Sequence, residues 1–137
     1  MNIKKKTLVD LVYMTDLIAD RLAYHTKAIV VKTDKIIEIA GLRVLNDYDK
    51  HENAVCAIVT DTEGIEYPIG EIMPYLRSLN KMTPGEMERF LYYQRLGSRD
   101  EMEYFYKQVH LDNKNYIKKG YALEYDETFV GGYETNL

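Results

Sequence analysis

The first apolar repeat of the chain has the spacing of a helix that buries one face. Thr7 followed by Asp10 has the spacing of a capping pair, which would fix where such a helix begins. The repeat is imperfect around Met14 and Thr15, where two shorter helical pieces could meet. The pattern therefore predicts a helix over residues 7–24. Its repeating apolar residues are Leu8, Leu11, Val12, Leu17, Ile18 and Leu22.

The next part of the chain carries short runs of β-branched residues, which are typical of strands. Gly64 lies in a turn-like sequence and tolerates the positive backbone angle of a tight hairpin, and Thr33-Asp34-Lys35 has similar turn composition. Pro68 lacks the amide hydrogen of a central strand, so the last strand is expected at a sheet edge. The predicted strands cover 28–31, 36–39, 42–45, 55–59 and 65–69, with a polar loop over 46–53.

Two helices with clear start signals are predicted in the second half of the chain. Thr83-Pro84-Gly85-Glu86 combines a capping threonine, a proline at the first helical position and a glutamate that reaches back. Ser98-Arg99-Asp100-Glu101 repeats the capping pattern, and Gly97 between the two helices predicts a helical hairpin. The expected inner faces are Met87, Phe90, Leu91 and Gln94 on the first helix and Met102, Phe105, Tyr106 and Val109 on the second.

Together these elements predict an α+β protein of one domain over residues 1–137, because this length is usual for a single domain. It would have an N-terminal helix, a small antiparallel sheet or partly open barrel, and a C-terminal helical hairpin. The β-rich part covers 27–73, the helical part 83–120, and an acidic tail 126–137. Pro74, Leu76 and Leu79 are expected to join the sheet to the hairpin, with both leucines buried.

The sequence offers little support for metal or cofactor chemistry. Cys56 is the only cysteine, and the three histidines have no partner at a metal-ligand spacing. No glycine-rich phosphate loop is present, and Ser98 is expected to cap a helix rather than act as a nucleophile. We therefore predict no catalytic residue, no metal and no cofactor. The alternative is a small enzyme whose site lies where sheet and helices meet, with candidate residues His25, His110, Arg77 and Asp112.

Tyrosine is the compositional exception, with 13 residues in a chain that has no tryptophan. These rings could cover the core with their hydroxyls in water, or they could form a contact surface, because Tyr and Arg are favoured at interfaces. Tyr92 and Tyr93 are neighbours on a helix, so they cannot both turn inward. The predicted binding surface consists of Arg89, Tyr92, Tyr93, Arg95, Arg99 and Tyr104.

Charge and hydropathy narrow the classes of partner. The formal net charge is −4, and acidic residues outnumber basic ones after residue 81, which argues against nucleic acid. Asp10, Asp16 and Asp20 interrupt the apolar stretch behind the basic start, so neither a signal sequence nor a membrane span is expected. These observations predict a cytoplasmic protein.

The run Pro74-Tyr75-Leu76-Arg77-Ser78-Leu79-Asn80-Lys81-Met82-Thr83 resembles a joint found in small phage and prophage proteins of gut Bacteroides-type bacteria. Those proteins carry the pattern Pro-x-Leu-Arg-Pro-Leu-Ser-x-Met-Thr between a β-rich half and a helical half, so Ser78 departs from it. The resemblance covers about residues 65–126, and no catalytic residue follows from it.

The resemblance implies a phage or mobile-element accessory protein in the host cytoplasm that acts by binding. It could be a counter-defence factor that binds a host or phage protein or a small nucleotide signal. A virion-associated structural protein is a further alternative, and a homo-oligomer is left open.

Overall fold

The protein is described by a computed structural model over residues 6–44 and 57–125. These residues form helices and one six-stranded sheet, which confirms the predicted α+β class. The helices are α1 (Leu8–Asp20), α2 (Pro84–Leu96), α3 (Arg99–Gln108) and α4 (Tyr116–Lys119). The strands are β1 (Lys27–Val30), β2 (Lys35–Val44), β3 (Ala57–Asp61), β4 (Glu66–Pro68), β5 (Ile72–Leu76) and β6 (Leu123–Glu124). The predicted loop 46–53, Cys56 and the tail 126–137 lie outside the described residues.

The sheet has the order β4-β3-β2-β1-β5-β6 and is antiparallel except for the pairing of β5 with β6. Pro68 lies in the edge strand β4, as its missing amide hydrogen predicts. Asp34 and Gly64 have φ angles of 58° and 84°, which confirms the two predicted turns. The prediction of separate strands over 36–39 and 42–45 is wrong, because β2 runs through both. The β-branched pattern is interrupted at Ala40 and Gly41, and the strand continues through this point with a shift of register between Ile39 and Gly41.

The predicted joint after residue 73 belongs to the sheet. β5 pairs with β1 on one side and with β6 on the other, and all five of its residues are buried. Leu76 is fully buried as expected, but the prediction for Leu79 is wrong, because that side chain is 39% exposed. Leu79 lies in a short 3-10 turn beyond the end of β5, where the chain has already left the core.

Helix α1 begins as predicted, with the side chains of Thr7 and Asp10 capping each other's backbone amides. It does not break at Met14-Thr15: both residues are buried, and the Thr15 hydroxyl donates a 2.7 Å hydrogen bond to the Leu11 carbonyl. The division comes at Arg21, after which a 3-10 turn (Leu22–Tyr24) ends at His25. The buried side of α1 packs on the sheet and contributes Leu11, Met14, Leu17 and Ile18 to the main core.

The hairpin of α2 and α3 is confirmed, but its contacts differ from the prediction in two ways. Thr83 and Glu86 form the expected capping box, whereas the Ser98 side chain makes no capping hydrogen bond. Met87 and Leu91 are exposed rather than packed inside. A separate hairpin cluster instead contains buried Phe105, Val109 and Leu111, with Met82, Phe90, Tyr93 and Tyr106 packed against them.

Candidate functional site

The junction between the sheet and α2 is built around one buried ion pair. Arg77 follows β5 and donates two hydrogen bonds of 2.8 Å to the two carboxylate oxygens of Glu86. The same guanidinium donates to the carbonyls of Val109 and Lys81. Burial raises the pKa of Glu86, but the hydrogen bonds from Arg77 and from the Thr83 amide outweigh it and hold this pKa below the usual value. Arg77 therefore ties β5, α2 and the end of α3 together.

The other residues of the enzyme alternative also have structural contacts. The Asp112 carboxylate accepts hydrogen bonds from the backbone amides of Lys114, Tyr116 and Ile117, so it caps the start of α4. His110 is buried, and burial together with nearby positive charge lowers its pKa to about 3. His25 lies on the surface in a left-handed backbone conformation.

These positions assign structural contacts to Arg77 and Asp112 and leave His110 without a proton to give near neutral pH. A general acid or base works best with a pKa near the working pH. The geometry of this junction therefore favours support of the fold over catalysis.

Two members of the predicted binding surface, Arg89 and Tyr93, lie between the two helices of the hairpin. Arg89 donates hydrogen bonds to the Tyr93 hydroxyl at 2.9 Å and to the Gln108 side chain at 3.1 Å. Its guanidinium lies 5.5 Å from the ring centres of both Tyr93 and Phe105. Such cation–π contacts stabilise partly buried arginine. Arg89 is thus engaged with the hairpin itself.

The remaining predicted surface residues are exposed but lie in three different places. Tyr92 and Arg95 are on the side of α2 that faces away from the hairpin cluster. Arg99 lines a shallow concavity of about 260 Å³ at the turn between the helices, together with Tyr93, Gly97 and others. Tyr104 lies on α3 and faces the end of α1. As expected, only one ring of the adjacent pair Tyr92 and Tyr93 turns inward.

Tyr104 lines an open groove of about 780 Å³ between α3 and the end of α1. Its ring meets Tyr24 edge to face, with 5.8 Å between ring centres. Burial, with a hydrogen bond to Tyr104, raises the pKa of Tyr24 above its ordinary value. We call this feature the acidic groove; it is lined by Ala19, Asp20, Leu22, Ala23, Tyr24, Ala40, Asp100, Glu103, Tyr104 and Lys107.

Three carboxylates and one ammonium group surround the acidic groove. Asp20 pairs with Lys107 at 3.6 Å across the gap between α1 and α3. The carboxylate of Glu103 accepts a hydrogen bond from Asn113, whose own side-chain oxygen accepts one from buried Arg21. Asp100 is exposed in the first turn of α3. The groove thus keeps a net negative charge beside two aromatic rings.

The sequence analysis names Tyr104 as a candidate but not the residues that it contacts. Tyr24 and Asp20 are distant from Tyr104 along the chain, and only the packing of α1 and α3 on the same side of the molecule joins them. Asp100 belongs to the sequence pattern that predicts the start of α3, and that pattern gives no sign of a groove. Ala19 and Ala23, four residues apart around the end of α1, are the sequence signal that this side of the helix lacks large side chains.

No described helix combines the length and apolar character that are needed to cross a membrane. Within residues 6–44 and 57–125, no three His, Cys, Asp or Glu side chains are placed to hold a metal ion. Comparison with protein-family models, curated proteins and solved structures finds no match to this chain.

Proposed function

We propose that this protein acts by binding, and that the acidic groove takes up a cationic segment of a partner protein. The observation that carries the proposal is the combination of the Tyr24–Tyr104 ring pair with a negatively charged rim in one groove. A lysine or arginine head group is attracted both to carboxylates and to the faces of aromatic rings. An anionic ligand, such as a nucleotide, would meet repulsion here.

The shape of the groove suits an extended basic side chain. Ala19, Ala23 and Ala40 are exposed and small, so they leave an apolar floor without filling the space above it. The alkyl part of a lysine or arginine side chain can lie on such a floor while its charged end reaches the rim. The volume of about 780 Å³ lies within the usual range of ligand pockets, which is roughly 300–1,000 Å³.

The carboxylates of the rim would not contribute equally. Asp20 is already paired with Lys107, and Glu103 is oriented by Asn113. Asp100 has an exposed carboxylate next to Tyr104, so it is the group that an incoming cation can pair with at the lowest cost. Tyr104, which is 53% exposed, is the ring that it can cover.

The biological setting is a separate part of the proposal. The resemblance over residues 65–126 supports a phage or mobile-element accessory protein in a bacterial host cytoplasm, and a host protein is then the natural partner. A counter-defence role follows from the same resemblance. None of the described contacts bears on that role, so the binding test below addresses only the groove.

The test is titration calorimetry of the full chain with a capped peptide of alternating arginine and glycine, at low ionic strength. We expect Asp100→Asn and Tyr104→Leu each to weaken binding about two- to fivefold, the size of one exposed ion pair or cation–π contact. Glu101→Gln and Tyr92→Leu are the matched controls, because they remove the same groups from exposed positions outside the groove.

Two results would overturn the proposal. One is equal weakening by the test and control variants, which would indicate attraction to the net charge of the protein rather than to the groove. The other is binding of an acidic phosphopeptide in place of the basic one, with loss on Arg95→Ala. That result would place the binding site at the exposed arginines of the hairpin instead of the acidic groove.

A further inference from the structure

The outer face of α2 is exposed along its length, and its Tyr92 ring lies 5.8 Å from the ring of the adjacent Tyr93. We define this face by Met87, Glu88, Leu91, Tyr92 and Arg95. Leu91 is 49% exposed, Tyr92 57% and Met87 41%. The opposite side of the helix carries Glu86, which pairs with Arg77, and Phe90 and Tyr93, which pack on the hairpin cluster. The helix thus has a second apolar side in addition to the one that it packs.

The outer face of α2 carries one acidic and one basic residue, which can pair when two copies of this face meet. Glu88 and Arg95 are seven residues apart, which is close to two full helical turns, so they project in nearly the same direction. Leu91 and Tyr92 lie midway between them. Both charged residues are exposed, and neither forms any of the ion pairs found among residues 6–44 and 57–125.

We propose that the outer face of α2 binds a second copy of this chain, with the two helices antiparallel about a twofold axis. An axis between Leu91 and Tyr92 brings Glu88 of each copy opposite Arg95 of the other, about 5 Å along the helix from the axis. The same arrangement places Leu91 against its counterpart, and Tyr92 against its own. One helix face then supplies two ion pairs around an apolar centre.

A comparison with α1 explains why we assign the contact between copies to α2. Helix α1 also exposes apolar residues, namely Val9, Val12 and Tyr13. Its sequence, however, contains three aspartates and no basic residue, so pairing of two copies there would bring like charges together. Tyr13 is also stacked on Tyr121 at 5.5 Å and is already partly engaged. The acidic groove lies at the end of α1 and is not part of the α2 face, so this inference is independent of the proposed function.

Sedimentation velocity of the full chain over a range of concentrations measures whether two copies associate. Variants that exchange the charges of Glu88 and Arg95 test the proposed contact. The wild-type chain should sediment at twice its mass of 16.1 kDa. Glu88→Arg and Arg95→Glu should each raise the dissociation constant at least tenfold, because each places like charges across the axis. The double exchange E88R/R95E should restore dimerisation, since the complementarity is then re-established in reverse.

A second pair of variants tests whether the two copies pair through α2 or through α1. Leu91→Asp should produce a monomer with an unchanged circular dichroism spectrum, because the side chain is exposed. Val9→Asp is the matched control on α1 and should leave the dimer intact. A monomer at every concentration up to about 1 mM, dissociation by Val9→Asp instead, or failure of the double exchange to restore pairing would each overturn the proposal.

Discussion

The two hydrophobic clusters of this protein differ in how they hold their elements together. The main core takes buried residues from α1 and from β1, β2, β3 and β5, so each element is fixed by several others. The hairpin cluster has three buried residues, Phe105, Val109 and Leu111, all in or just after α3. Apart from Glu86, α2 buries none of its own residues completely.

The comparison shows that α2 is held largely by charged groups. Arg77 joins it to β5 and to the end of α3 through Glu86 and the Val109 carbonyl. Arg89 joins it to α3 through Gln108 and the face of Phe105. Because α2 needs only a narrow inner side for these contacts, its outer face stays available for other partners.

Residues between β5 and α2 supply several of the contacts that join the two clusters. Leu76 enters the main core, Arg77 forms the buried ion pair, Met82 packs on the hairpin cluster and Thr83 caps α2. Each of these four residues thus helps to join the sheet to the hairpin.

The largest effect is expected at the ion pair that joins the two clusters. Glu86→Gln leaves Arg77 buried without its counter-charge, which should lower the free energy of unfolding by about 3–5 kcal/mol. Glu101→Gln, an exposed change on the neighbouring helix α3, should stay within about 0.5 kcal/mol. Urea unfolding followed by circular dichroism measures both. Equal, small effects would show that the hydrophobic contacts of the hairpin hold α2 without the ion pair.

An intermediate effect is expected from the pH dependence of stability that buried His110 causes. Its folded pKa of about 3 is below the ordinary 6.5, so on acidification the unfolded chain takes up a proton that the folded chain does not. Stability should therefore fall as pH drops below 6.5, by up to about 1.4 kcal/mol per pH unit. The range from pH 6.5 to 5 separates this effect from most carboxylate titration.

The control for that measurement is His110→Asn, because asparagine tolerates the left-handed backbone at this position, where φ is 63°. The variant should show a nearly flat stability profile over the same pH range. A wild-type slope that persists in the variant would place the proton uptake on another group and remove His110 from the account.

The smallest expected effect is the difference in stability between variants at the first residues of α2 and α3. Thr83→Ala removes a side chain that accepts a hydrogen bond from the Glu86 amide, and should cost about 0.5–2 kcal/mol. Ser98→Ala removes no capping hydrogen bond, so its cost should stay within about 0.5 kcal/mol. Thermal or urea unfolding measures the difference. A larger loss for Ser98→Ala would mean that its hydroxyl caps α3 in solution.

Local sequence determined much of the fold because its signals act over a few residues. The capping boxes at Thr7 and Thr83, the turn at Gly64 and the hairpin at Gly97 are all where the pattern predicts them. The edge position of Pro68 follows from one missing amide hydrogen. In each case the deciding interaction lies within one turn of helix or one hairpin.

Only the tertiary structure decided which side chains meet across distant parts of the chain. An amphipathic pattern cannot tell which of two apolar sides of α2 faces the protein, and Arg77 decides this by holding Glu86 inward. The meeting of Tyr24 with Tyr104 depends on the packing of α1 and α3 on the same side of the molecule. These contacts reflect burial and charge pairing between separate elements, and such energies are set by three-dimensional neighbours rather than by spacing along the sequence.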